Sequence, residues 1–126
     1  VRKSGKGWGV GPHIYDTSAW PDALGDTPAS LNLQAYHQDQ VEILPEGAQT
    51  IATSDFCEHA ALWYPGFAIT VQGHPEFSKD YASALIESRR GTVLSKTDAD
   101  QGQEYMSRDI TASALAQMIA AHLDQL

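Results

Sequence analysis

Val71-Gln72-Gly73-His74-Pro75-Glu76-Phe77-Ser78 is the stretch on which the fold turns. An apolar, β-prone run, Phe67 to Gln72, leads into it, and a helical pattern leaves it at Ser78, a serine suited to cap a helix. A strand that opens into a helix places the junction at the carboxyl end of a strand, where open α/β sheets hold their sites. Phe67 to Val71 is nearly continuous in its hydrophobicity, a pattern typical of a strand covered on both faces within a parallel sheet. Parallel strands need crossover partners. The sequence offers one clear strand-to-helix unit of that kind, so further partners are expected before Val1.

Upstream of the junction the chain reads as short strands. Trp8 to Tyr15 is predicted as a strand, followed by a turn-rich loop from Asp16 to Ala29 with Pro21, Gly25 and Pro28. Leu31, Leu33 and Ala35 have period 2, and Val41, Ile43 and Leu44 precede the turn Pro45-Glu46-Gly47. Thr50 to Ser54 and Ala60 to Tyr64 add two β-prone runs, and Pro65-Gly66 makes a tight turn before Phe67. Downstream, Tyr81, Leu85 and Ile86 with Ala82 and Ala84 form an apolar stripe that Gly91 should end. Thr92 to Gln103 reads as a polar linker. From Asp109, a candidate cap, Leu115, Met118, Ile119, His122, Leu123 and Leu126 recur at helical spacing, a stripe more often used for packing than for a partner.

The 126 residues carry 42% hydrophobic and 19% charged side chains, a composition for one globular domain or part of one. A net charge of −8 has the wrong sign for a surface that neutralises phosphates, so nucleic acid is not an expected partner. No run approaches the roughly 18 apolar residues of a membrane span. With a single cysteine, Cys57, and no apolar leader after Val1, the expected compartment is the cytoplasm, with no membrane association.

His74 and Glu76 are two residues apart, and Pro75 biases His74 toward extended backbone, from which side chains i and i+2 project to one side. A carboxylate beside an imidazole accepts from one ring nitrogen, fixes the tautomer and frees the other nitrogen to move protons. That is the base and orienter of a nucleophilic triad. The same pair could equally cap the helix that follows. His37 and Asp39 repeat the spacing at the end of an extended run, where a plain turn is as good a reading. Cys57 lies between Asp55 and Glu58, whose charges disfavour a thiolate, and His59 on a strand would point away from it, so Cys57 reads as a packed thiol. The series Gly5, Gly7, Gly9, Gly11 lacks the spacing of a phosphate loop and suits close backbone approach. Arg2, Lys3 and Lys6, like Arg89 and Arg90, read as solvated surface charge.

Gln72-Gly73-His74-Pro75-Glu76-Phe77, with His37-Gln38-Asp39-Gln40-Val41, Leu44-Pro45-Glu46-Gly47-Ala48, Ala52-Thr53-Ser54 and Cys57 upstream, resembles a class I glutamine amidotransferase, in particular the group similar to the glutaminase domain of GMP synthase. The likeness covers about residues 5 to 90. It implies an α/β fold, the C-terminal half of a flavodoxin-like domain with a mixed sheet and flanking helices. It also implies a Cys-His-Glu triad that releases ammonia from the glutamine side chain through a thioester. On that resemblance His74 is the general base and acid, Glu76 its orienter, and His37 with Asp39 line the glutamine site. The nucleophile is expected in a Gly-x-Cys-x-Gly elbow, and residues 1 to 126 contain none. The resemblance therefore makes residues 1–126 the C-terminal part of the domain, with the elbow upstream of Val1. Glutamine is the implied substrate, an ammonia-accepting synthetase and the N-terminal half of the domain the implied partners. No cofactor is implied.

Two other classes compete. A relative without catalysis would bind glutamine or a partner. A non-haem metal oxygenase would use His37, Asp39 and a further histidine such as His74 or His122, on an all-β barrel that the C-terminal helices oppose.

Overall fold

The structure is a computed structural model that describes residues 1–26 and 30–124. Pro28 and Ala29 of the predicted loop, and Leu126 of the last stripe, lie outside the described residues. Strands come first: β1 (Arg2–Lys3), β2 (Gly9–Asp16), β3 (Ser30–His37), β4 (Asp39–Gln40), β5 (Gln49–Ala52), β6 (Ala61–Tyr64) and β7 (Ala68–Val71). Helices α1 (Lys79–Arg89), α2 (Lys96–Glu104) and α3 (Ala112–Asp124) follow, with short 3-10 turns at Asp22–Leu24 and Tyr105–Ser107. The described strands form three antiparallel sheets, β1 with β4, β2 with β3, and β5-β6-β7. Single bridges, Asp16 to Thr53 and Gln34 to His74, tie the three-stranded sheet to the β2-β3 ribbon.

The strand before the junction is not covered on both faces. The Pro65-Gly66 turn, closed by Phe67 N–H donating to the Tyr64 carbonyl at 2.9 Å, folds β7 back on β6 with Tyr64 opposite Ala68. This puts Ile69 and Val71 against the main core and leaves Thr70 exposed. Phe67 sits in the turn, 77% exposed. An apolar run can thus serve a one-faced antiparallel hairpin when a turn sets its register. Val41 to Leu44 departs from expectation too: the strand is β4, Asp39–Gln40, and Ile43 after it is 76% exposed.

The main core joins Tyr15, Leu31, Leu33, Ile51 and Cys57 with Leu115 and Met118, the buried face of α3. The terminal stripe is packing, although Leu123 remains exposed. α3 begins at Ala112, later than the Asp109 cap expected for it, because Asn32 of β3 organises the approach. Its amide N–H donates to Thr111 Oγ1 at 2.8 Å and its side-chain Nδ2 to the Asp109 carbonyl at 3.0 Å.

A second, smaller core, Val10, Ile86, Leu94 and Ala99, lies under α1 and α2. Here the predicted polar linker is a helix. Ser95 caps it, its hydroxyl accepting from Asp98 N–H at 3.0 Å. Only Ala99 and Gly102 of α2 are buried, so no apolar stripe announces it. What docks it is backbone proximity: a Cβ at Gly11 (φ +79°) would stand 2.4 Å from the Gly102 carbonyl oxygen. The close approach expected of the early glycines is thus real at Gly11, whereas Gly5 and Gly7 face open space. α1 also buries a narrower face than expected, Ala82 and Ile86 alone. Arg90, predicted as solvated charge, bridges α1 and α2 through Glu87 (2.8 Å) and Asp100 (2.6 Å).

Candidate active site at the strand-to-helix junction

Between β7 and α1 the backbone is drawn tightly against β3. A Cβ at Gly73 would lie 2.8 Å from the Leu33 Cβ, so glycine alone permits the contact. As a result His74 N–H donates to the Gln34 carbonyl at 2.8 Å, which fixes where the imidazole begins. The chain then turns. Phe77 N–H donates to the His74 carbonyl at 3.2 Å, with Pro75 and Glu76 at the turn's centre. Proline's fixed φ suits the first central position of such a turn. The turn, not the extended backbone read from the sequence, swings Glu76 beside His74.

His74 Nδ1 and Glu76 Oε1 are 2.7 Å apart, with Nδ1–H donating to the carboxylate. The tautomer follows from that bond and leaves Nε2 as the acceptor. Nε2 makes no hydrogen bond among the described residues. Burial works to raise the Glu76 carboxyl, but its own backbone N–H and the His74 ring together outweigh that and hold it below its ordinary value. A charged carboxylate at neutral pH is what an orienter needs. The helix cap belongs to a different side chain: Ser78 Oγ accepts from Tyr81 N–H at 3.1 Å. The capping alternative for His74 and Glu76 therefore fails. The His74 ring lies on the Phe77 ring, with centroids 4.2 Å apart and planes 5° from parallel, and Tyr81 meets Phe77 edge-on at 4.8 Å.

His37, at the end of β3, is the other histidine of this region. Its Nδ1 donates to the backbone carbonyl of Asp39 at 3.2 Å, and its Nε2 is buried with no partner among the described residues. Burial pulls its basicity below the ordinary histidine range; the Asp39 carbonyl opposes this, and the nearby His74 ring adds to it. Asp39 itself is exposed. A cavity of about 350 Å³ opens beside His37, lined by Lys3, Trp8, Tyr36, His37, Gln38 and Asp39. His74 is not part of its wall.

Cys57 is a packed thiol, 0% exposed, and burial pushes it up to about 11. Burial, rather than the flanking carboxylates, is the dominant cause. Its segment is a turn in which Ser54 Oγ accepts from Cys57 N–H at 2.9 Å, and the His59 ring is engaged by Thr50 Oγ1 at 2.7 Å. Among the described residues no group of three His, Cys, Asp or Glu side chains could hold a metal ion. The oxygenase alternative built on His37 and Asp39 is thereby corrected: His37 meets a carbonyl, not a carboxylate, and His122 is buried on α3. No described helix is long and apolar enough to cross a membrane. Two further participants escaped sequence reasoning, Gln34 through its backbone carbonyl and Phe77 through its ring. For Phe77 the only signal was its place three residues after a histidine in a proline-containing turn.

No family model matches the chain. A glutamine amidotransferase-like protein of Schizosaccharomyces pombe is 36% identical over 64 residues, covering 51% of this chain and 26% of that protein. A glutamine-hydrolyzing GMP synthase subunit of Methanosarcina acetivorans is 38% identical over 76 residues, covering 60% of this chain and 40% of that protein. Among solved structures, a glutamine amidotransferase of Thermotoga maritima superposes with a TM-score of 0.60 at 19% identity, over 94% of this chain and 54% of that one. The chain thus spans less than half the length of these two curated relatives. The similarity to glutamine amidotransferases is present in sequence, and the α/β fold is the one these enzymes have.

Proposed function

We propose that this chain carries the histidine and glutamate of a class I glutamine amidotransferase site, as the C-terminal part of that domain, with the nucleophilic cysteine in an elbow that precedes Val1 in the whole protein. The hydrogen bond of 2.7 Å between His74 Nδ1 and Glu76 Oε1 carries the reading, because it leaves Nε2 as the proton-moving nitrogen. In the reaction the cysteine thiol gives its proton to His74 Nε2 as its sulfur attacks the side-chain carboxamide carbon of glutamine. The C–N bond breaks as His74 Nε2–H passes its proton to the leaving nitrogen, giving ammonia and a thioester. Water then attacks the thioester carbon, giving up a proton to Nε2, and glutamate leaves with the thiol restored. Glu76 holds the ring and stabilises the imidazolium that forms between the steps. His37 and Asp39, beside the cavity, line the glutamine, and no cofactor takes part.

The ammonia goes to an acceptor, a synthetase domain or chain. Similarity to a GMP synthase subunit supports such a partner. The experiment is a pair. Residues 1–126 alone should release no ammonia from glutamine, and the whole protein with its elbow cysteine should release it. Ammonia production by the 126-residue chain, lost in Cys57→Ala, would overturn the assignment. A whole protein whose elbow position holds another residue, and which binds glutamine without hydrolysing it, would favour the non-catalytic relative.

A further inference from the structure

From the stack at the junction we infer that Phe77 is a positioning residue for His74, holding the imidazole plane while Glu76 holds its edge, and that Tyr81 supports it from behind. The inference rests on the reading of His74 as the proton-moving group. A hydrogen bond at Nδ1 fixes one point of the ring but leaves the ring free to rock about the Nδ1···Oε1 line. A flat face laid against the imidazole removes that motion. The Phe77 face does this at 4.2 Å with planes 5° from parallel. With χ1 and χ2 both constrained, the Nε2 lone pair keeps one direction, which a nucleophile on another segment must meet.

The contact is an ordinary aromatic stack: His74 and Phe77 are parallel rings with centroids 4.2 Å apart, and Tyr81 is edge-on to Phe77 at 4.8 Å, both arrangements that aromatic rings favour. Phe77 is half-buried and belongs to neither hydrophobic core, so replacing it leaves the fold's packing in place.

The test is the NMR spectrum of the histidine Cε1–H resonances in the whole protein, with His74 assigned by its loss in His74→Ala. In the parent the His74 ring protons are displaced upfield by the Phe77 face. Phe77→Leu abolishes that displacement, since an aliphatic side chain carries no ring current. Phe77→Tyr retains it, and Tyr81→Ala reduces it in part as the stack loosens. A parent without the upfield displacement, or a Phe77→Leu protein whose His74 resonance stays at the parental position, overturns the inference. No nucleophile is needed for this measurement, so its failure is distinct from failure of the glutaminase reading, which would show as full turnover in His74→Ala of the whole protein.

Discussion

Two of the chain's three His-x-acid tripeptides, His74-Pro75-Glu76 and His37-Gln38-Asp39, lie where strands end, with identical spacing and opposite outcomes; the third, His122-Leu123-Asp124, lies within α3. In the first, the side chains meet, imidazole to carboxylate, at 2.7 Å and partly open to solvent. In the second, the imidazole turns to the backbone carbonyl two residues on, and its remaining nitrogen is buried with no partner among the described residues. The backbone makes the difference. Pro75 sits in a turn closed between His74 and Phe77, whereas Gln38 joins two strands, β3 and β4, that belong to different sheets. Spacing alone, then, does not make a catalytic pair. A histidine and an acid two residues apart become one only where the intervening backbone curls the acid back toward the ring.

The largest expected effect separates the two histidines by activity. In the whole protein, His74→Ala should lower glutamine hydrolysis by about 10²–10⁴-fold, as loss of a general base does. His37→Ala should cost about tenfold or less in kcat/KM, the scale of one lost contact. Equal losses in the two variants would erase the distinction drawn from their geometry. Next in size is the orienter. Glu76→Gln preserves shape but can present an amide N–H to Nδ1, which disfavours the working tautomer, so kcat should fall by about 10²-fold with KM little changed. Steady-state ammonia release at about pH 7 to 8, near the working pH of a histidine base, measures both. A Glu76→Gln enzyme with parental kcat would remove Glu76 from the mechanism.

How much of this was legible without coordinates follows from what each signal depends on. The junction was legible because it combines local signals, a β-prone run, a proline after the histidine and a capping serine, and Ser78 does cap α1. The β2-β3 ribbon was legible from the alternation of Leu31, Leu33 and Ala35, all buried. α2 was not, since a helix held by Ala99, Gly102 and a close glycine contact has almost no apolar stripe to detect. The direction of β7 was not, because hydrophobicity reports burial and carries no information on which neighbour supplies it. In the site, the pairing of residues 74 and 76 was legible and its cause was misread as extended backbone. Phe77 stayed hidden because an aromatic near a histidine is usually packing, and only the parallel planes at 4.2 Å assign it to the ring.

Burial separates the histidines a second way, through pH. His13, 8% exposed on β2 between Phe56 and Tyr105, is lowered to about 4, first by burial and then by the charges of His37 and Arg108. His37 is lowered in the same direction by burial. In the unfolded chain both take up a proton near the ordinary histidine value of about 6.5, while the folded chain does not until lower pH. The unfolded state therefore binds more protons in that window. Stability is fully present above about pH 6.5 and declines as pH falls toward 4, by about 3 kcal/mol for His13. Urea midpoints taken from about pH 7 down to about 4.5 should fall steadily, and His13→Asn should flatten the curve. A parental slope in that variant would mean that other groups, not His13, govern the decline.

The smallest effect is the sharpest test of the contrast. If His37 is held by the carbonyl of residue 39, the Asp39 side chain is dispensable for the ring's position, and Asp39→Asn should leave kcat at the parental value. Asp39 is exposed at the mouth of the cavity beside His37, so removing its charge should show instead as a rise in KM of no more than about fivefold, the range of a solvent-screened ionic contact. The His37 resonance should titrate slightly lower still, because the carboxylate is a minor influence favouring its charged form behind the carbonyl. A fall in kcat as large as that of Glu76→Gln would mean that the second tripeptide, like the first, works through its carboxylate. Turnover then depends on two His-acid pairs, and the backbone turn at Pro75 is no longer what sets them apart.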